Sequence, residues 1–531
     1  MSRARGAARA AGIVSLATLI SRISGLVREQ VFAALFGAGK YTDAFNVAFL
    51  IPNLLRDLFA EGALSAAFVP TFTDYLTNRS REEAWRLANL VVNALLVTLS
   101  VLTIVIFLGA KYFVLLFAYG FTQTPGKVEL TATLTRIMSP FLLLVALAAV
   151  SMGVLNARGK FFIPAVAPAV FNIGNILGGI LLVPVLTRYG QEGILAMAVG
   201  ALLGGAGQFL AQAPLLRREG FRYRPEIDFS HPGLRRIGRL MLPATFGLAA
   251  VQINLMVNRQ LAASLPGDGP VSWLNYAFRL IYLPIGLFGV AIATVNLRET
   301  SLDAARKDMA GLKRTLANSL KMVMVLNVPS TFGLIILSHP IVQMIYQRGR
   351  FTAADTQATA HALVAYAVGL FAYSCVKIFV PTFYALNDTR TPMRISVAAV
   401  ALNILFNLAL IRPLGYIGLA LGTSVTSWLN LLLLSWQFRR KVGPFEPGAR
   451  LVETFLRCLA ASAGMAAVAC FAVGAVPDAW RRHTLSLAVV LLGVISLACS
   501  VYALLCALLR ISEIGILWRA FGRRVRMTNV E

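Results

Sequence analysis

Apolar runs about 20 residues long, repeated about fourteen times between short polar loops, leave this chain few ways to fold. Inside lipid every backbone N–H and C=O must be bonded within the protein, which permits helices or closed barrels. Barrel strands read as alternating segments of about ten residues; these runs are unbroken and twice that length, so they are membrane helices. They cover 12–36, 43–76, 86–109, 132–155, 161–186, 194–216, 237–264, 272–297, 314–338, 357–386, 393–411, 417–438, 451–476 and 484–509. The fold class expected is an all-α polytopic membrane protein.

Charge sets the orientation. Of 531 residues, 58% are hydrophobic and 14% charged, too few charges for a soluble surface of this size. The net charge is +26, from 49 Lys and Arg against 23 Asp and Glu. In a soluble chain such an excess would suggest nucleic acid; here it belongs to loops facing a cytoplasm, and no nucleic-acid partner is expected. The longest basic loop, "RREGFRYRPEIDFSHPGLRRIGR" (217–239), follows the sixth helix, and a basic tail ends the chain. With an even number of spans, both termini are expected in the cytoplasm. The basic start at Arg3, Arg5 and Arg9 precedes an apolar run too long for a leader, and we read it as a retained helix.

Several charges do not sit in loops. Arg22, Arg28 and Glu29 interrupt the first helix, although a charge at bilayer depth costs roughly 2.5–3.5 kcal/mol on insertion scales. In the second helix Asp43, Asn46, Asn53, Arg56, Asp57, Glu61 and Ser65 share about half the circumference at 100° per residue. In the eighth, Asn275, Arg279, Tyr282 and Gly286 form a narrow 4-3-4 stripe, and Arg259 lies in the seventh. Such charges can be closed structural pairs or can line a wet cavity. Arginines on helices of both halves outnumber acids at depth, which favours a cationic cavity built for an anion.

A weak repeat organises the helices. Asn172 lies 16 residues after Leu155-Asn156, Asn403 lies 16 residues after Leu386-Asn387, and Pro52 matches Pro284. The offset of about 230 residues spans six helices, so the copies run parallel. The expected organisation is a six-helix lobe over 1–216, a basic linker 217–236, a second lobe 237–438, two added helices in 451–510 and a basic tail 511–531.

Catalytic signatures are missing from the sequence. "GAGKYT" (37–42) lacks the first glycine of a phosphate loop, and His231, His339, His361 and His483 lack metal-ligand spacing. The five cysteines lie in apolar runs without a C-x-x-C. We expect a transporter, not an enzyme, with no cofactor and no metal.

"SRISGLVRE", "TDAFNVAFLIPNLLRDLFAEGALSAAFVP", "SWLNYAFRLIYLPIGLFGVA" and "FYALNDTRTP" resemble the MurJ/MviN family of bacterial lipid II flippases. That family belongs to the multidrug/oligosaccharidyl-lipid/polysaccharide exporter superfamily. The resemblance implies two six-helix lobes around a central cationic cavity, alternating access, and two extra helices grooved for a polyprenyl tail. It implies that Arg22, Arg28, Arg56 and Arg279 are required and that Asp43 is the functional acid of the second helix. Asn53 and Asn275, on the polar stripes, complete the primary candidates for substrate binding; Glu61, Arg259 and Tyr282 are secondary. The chain departs from the family pattern at Asp57, Phe278 and Arg298. The partners implied are lipid II and membrane lipids, with other cell-wall synthesis proteins beside a monomeric transporter in the inner membrane. Rival substrates are another polyprenyl-diphosphate glycan, such as O-antigen or exopolysaccharide units, or a drug, whose positive charge would want acids instead.

Overall fold

The computed structural model describes residues 2–56, 63–477, 480, 484–511 and 513, and these residues form helices and loops with no strand among them. They divide into two compact units, 1–272 with 348–352, and 273–347 with 353–531.

The first unit contains α1 (Ser2–Phe36), α2 (Lys40–Arg56), α3 (Ala63–Asn78), α4 (Arg81–Ala118), α5 (Lys127–Met138), α6 (Phe141–Ala157), α7 (Phe162–Leu177), α8 (Val183–Arg188), α9 (Leu195–Leu210), α10 (Ala213–Arg218) and α11 (Pro232–Ala263). One core cluster joins Phe68 and Phe72 of α3 to Leu87 and Val91 of α4, Val150 and Val154 of α6, and Ile237 of α11. The sequence division places α11 in the second lobe. Its contacts with α3 and α4 instead group it with the first unit.

Helix contact without a hydrophobic driving force needs close backbones. Gly174 of α7 and Gly178 just past its end face Gly204 and Gly200 of α9: a Cβ on either of these two glycines would stand 2.6 Å from the Cα of its partner. Backbone cannot yield as a side chain can, so Gly178→Leu is expected to cost about 1–3 kcal/mol by overpacking. Thermal unfolding of the purified variant checks it; an unchanged midpoint would show that the helices separate freely. Asn172 completes the seam, donating to Ser21 O (3.2 Å) and Ser24 Oγ (3.0 Å) of α1. The 348–352 segment belongs here because Arg350 N donates to Ala34 O at 2.9 Å. Gly37 and Gly349, at φ 68° and 56°, lie where a Cβ would meet Arg350 O and Ala34 O respectively within 2.5 Å.

The second unit holds α12 (Pro270–Pro284, its first turn in the first unit), α13 (Val290–Ala305), α14 (Met309–Ile336), α15 (Ser338–Tyr346), α16 (Ala353–Ala367), α17 (Leu370–Ala385), α18 (Arg390–Val442), α19 (Leu451–Gly474) and α20 (Thr484–Leu508). Among the described residues nine helices are long and apolar enough to cross a bilayer. A tenth arises if α16 and α17, bent by 46°, form one span. The 53 residues of α18 are too long for one crossing, and Gly415, at φ 56° and ψ −135°, breaks them where the sequence divides two spans. The two arms meet through Asn403 Nδ2 and Thr426 Oγ1 at 3.3 Å. The described parts of the remaining expected spans are helical as well: α1, α2 and α3 separately, and α11. The two added helices α19 and α20 pack on α14 through Cys458, Met465, Leu491 and Tyr502, whose hydroxyl donates to Val325 O at 2.9 Å. Their outer surface leaves Phe471 and Leu485 80% exposed, a surface suited to lipid.

"FYALNDTRTP" is a structural joint. Asn387 takes φ 57° after α17, and Asp388 accepts a hydrogen bond from Thr391 N (3.0 Å) at the start of α18 and pairs with Lys441 at its end. Partial burial opposes the Asp388 charge, but Lys441 and Thr391 outweigh it and hold the carboxyl at about 2. An unfolded aspartate titrates near ~3.9. This group therefore stabilises the fold above about pH 4, and the contribution disappears as pH falls through about 2. We expect Asp388→Asn to unfold earlier than the parent at neutral pH and together with it near pH 2. A stability gap of the same size at both pH values would show the carboxylate to be irrelevant.

Candidate functional site

The best-defined polar cluster lies in the first unit, around Asp43. The carboxylate is 1% exposed and both its oxygens are taken. Oδ1 accepts from Ser272 N at 2.9 Å and Ser272 Oγ at 2.5 Å. Oδ2 accepts from Gly269 N at 2.9 Å and from Lys127 Nζ at 3.0 Å. Lys127, itself 2% exposed, also reaches Asp268 at 2.7 Å and stands 4.2 Å from the centroid of the Phe121 ring. Local sequence explains the geometry: Asp43 lies in the first turn of α2 and Lys127 starts α5. The 264–269 loop and the first turn of α12 point Gly269 N and Ser272 N at the carboxylate. Asn46 Nδ2 approaches Ser272 Oγ at 3.5 Å.

In this conformation both Asp43 oxygens, expected from sequence to serve the substrate, are occupied by groups of the protein itself. Asp43 ties a loop and a helix start to α2. Nothing in the local sequence announces this, because Lys127 and Ser272 lie 84 and 229 residues away.

The arginines are placed differently. Arg22 is exposed on α1, whereas Arg28 is half-buried, 2.6 Å from Glu29 Oε1 and 5.5 Å from the Phe171 ring centroid. Neighbouring helix positions diverge by 100°, yet the long guanidinium stem bridges that gap. Asn53 and Arg56 are half-buried near the end of α2. Arg259 Nη1 lies 3.4 Å from Val271 O, so this secondary candidate supports the same loop as Asp43. Glu61 and Asp57 lie outside the described residues.

In the second unit, Asn275, Arg279 and Tyr282 of the expected stripe lie on α12, and Gly286 lies beyond its end. Arg279 and Tyr282 are exposed and Asn275 half-buried, while Leu274, Tyr276, Ala277, Leu280 and Ile281 are buried on the other side. Gly286 departs from the stripe and is buried. Phe278, a departure from the family pattern, packs beside Tyr282, Tyr366 and Tyr373 with ring centroids 5.4–6.5 Å apart. Arg298 is exposed on α13. An exposed guanidinium flanked by an amide and a phenol can bind phosphate oxygens bidentately.

The model of the family described as "Lipid II flippase MurJ" matches residues 32–491. The probable lipid II flippase MurJ of Vibrio cholerae serotype O1 is 38% identical over 429 residues, covering 80% of this chain and 81% of that protein. A solved structure, "Lipid II flippase MurJ, inward closed conformation", is 29% identical, with a TM-score of 0.80 over 94% of this chain and 99% of the other. An inward-facing multidrug resistance MATE family transporter of the MOP superfamily shares the fold, with a TM-score of 0.68 at 15% identity over 80% of this chain and 94% of its own. A family match running from the first helix into the last, together with a relative of this identity and coverage, places the chain in the lipid II flippase MurJ family.

Proposed function

We propose that this chain is a flippase that moves the lipid-linked peptidoglycan precursor lipid II from the inner to the outer leaflet. The match to the family over residues 32–491 carries the reading. The chain is a multi-pass protein of the bacterial inner membrane, and its task is transport rather than catalysis. Its termini lie in the cytoplasm, as the basic 217–239 loop supports. Arg22, Arg28, Arg56 and Arg279 neutralise the diphosphate in turn, with Asn53, Asn275 and Tyr282 offering neutral hydrogen bonds. The exposed Arg279 stripe is the strongest support for that assignment. The polyprenyl tail stays in lipid along α19 and α20, while Asp43 and Lys127 hold the 264–272 loop.

Membrane potential offers a drive. An interior-negative voltage favours outward movement of an anion by about 2.3 kcal/mol per charge per 100 mV, and favours inward return of the unloaded, positively charged arginines. Both half-cycles of alternating access are pushed the same way. A drug exporter would meet cations with acids, the opposite sign to this arginine set. The test is replacement of the essential lipid II flippase of a host by this chain. Growth is the expected outcome; correct insertion without growth would sink the reading.

A further inference from the structure

The loop between α10 and α11 exposes apolar side chains beside its arginines. Glu226 and Asp228 pair at the surface with the exposed Arg86 of α4, Glu226 Oε1 standing 2.5 Å from Arg86 Nη2. Ile227 and Phe229 turn outward, 56% and 57% exposed, while Tyr223 keeps an exposed ring edge but turns its hydroxyl in to Asn93 and lines the cavity behind the loop. Two buried asparagines of α4 fix this arrangement. Asn89 donates to Arg222 O (3.0 Å) and accepts from Arg224 N (2.8 Å). Asn93 donates to Arg224 O (2.7 Å) and Glu226 O (2.8 Å), and accepts from the Tyr223 hydroxyl (2.8 Å). The loop from Arg222 to Glu226 is therefore held on α4 by hydrogen bonds, and the exposed Ile227 and Phe229 follow directly after it.

Behind the loop lies a cavity of about 540 Å³ within the first unit, walled by Leu96, Leu147, Val150 and Leu210. Arg217 and Arg222 are its charged lining, with no carboxylate among the residues that line it. The nearest acids of the loop are already engaged: Glu226 by Arg86, and Glu219 by Arg158 (3.1 Å) and Lys160 (3.6 Å). An apolar slot topped by two exposed arginines has the chemistry of a lipid with an anionic head, and the outward aromatic and aliphatic side chains suit the interface beside it.

We propose that this cavity binds one anionic glycerophospholipid of the cytoplasmic leaflet, an acyl chain lying against Leu147 and Leu210 and the phosphate against Arg217 and Arg222. The guanidinium forks match phosphate oxygens and keep their charge at any working pH. The lipid ties Ile227 and Phe229 to the membrane surface and steadies the basic loop. The site rests on the cytoplasmic placement of the loop proposed above, but its test uses no transport.

The full chain is purified, delipidated and titrated with phosphatidylglycerol or phosphatidylcholine, and retained lipid is counted by native mass spectrometry. One phosphatidylglycerol should be held preferentially. Arg217→Gln with Arg222→Gln should weaken it about thirtyfold at low salt, down to the phosphatidylcholine level, with the unfolding midpoint unchanged. Leu210→Trp, a change at an exposed position that fills the slot, should reduce retention of both lipids. Equal retention of the two lipids by the parent chain overturns the proposal, as does full phosphatidylglycerol binding by the double glutamine variant. A surface that instead docks a protein would hold neither lipid, which overturns it too. Flippase failure would leave every one of these readouts intact, so the two readings fall separately.

Discussion

Arg279→Ala is expected to abolish growth of a strain depleted of its lipid II flippase while the protein remains inserted and abundant. The expectation follows from exposure: Arg279 stands on the open side of α12, and its neighbours Tyr276, Ala277 and Leu280 supply the packing. Removing an exposed side chain away from the core usually changes stability by no more than about 0.5 kcal/mol. Loss of function at constant abundance therefore reports on a ligand. Arg279→Lys should restore growth only partly, since a point charge replaces a bidentate fork. A closed buried ion pair would behave otherwise, costing about 3–5 kcal/mol when one partner is removed. Membrane abundance and thermal midpoint are measured beside growth. Protein lost in step with growth would make Arg279 structural, and full growth with alanine would remove it from the site.

The α12 stripe was legible because a 3.6-residue period is a local property. Asn275, Arg279 and Tyr282 fall on one face whatever the rest of the chain does. The spans were legible for the same reason, including the division of α18, whose break at Gly415 falls between the expected spans 393–411 and 417–438. What sequence could not give was pairing. Asp43 reads like any acid on a polar stripe, and its partners are set by where α5 and the 264–272 loop arrive in space. Arg28 illustrates a smaller failure: Glu29 stands next to it in the chain, yet spacing alone points the two side chains apart. The grouping of α11 with the first unit was likewise invisible, since a hydropathy profile says where a helix is and not which neighbours it touches. Asn89 and Asn93 carried a signal that could have been used. Two amides one turn apart in an apolar helix want backbone partners, and the adjacent extended loop supplies them.

Asp43→Ala should cost about 3–5 kcal/mol of stability, and its largest effect should be loss of folded protein rather than loss of a substrate contact. The carboxylate accepts four hydrogen bonds, and its removal leaves Gly269 N and Ser272 N without their acceptor at the start of α12. Lys127 keeps one carboxylate, but Asp268 is 37% exposed and holds it from the wet side only. Lys127→Met leaves Asp43 with three neutral donors and no counter-charge, so it too should destabilise. The informative variant is the double one. Once Asp43 is alanine, the buried lysine is half-stranded, so replacing it as well should lower stability by clearly less than the two single losses summed. Thermal midpoints of the two single variants and the double variant close the cycle. Additive losses would show that the pair is not coupled. An Asp43→Ala protein with the parent midpoint but no growth would return Asp43 to the substrate, and would mean that the closed cluster opens during transport.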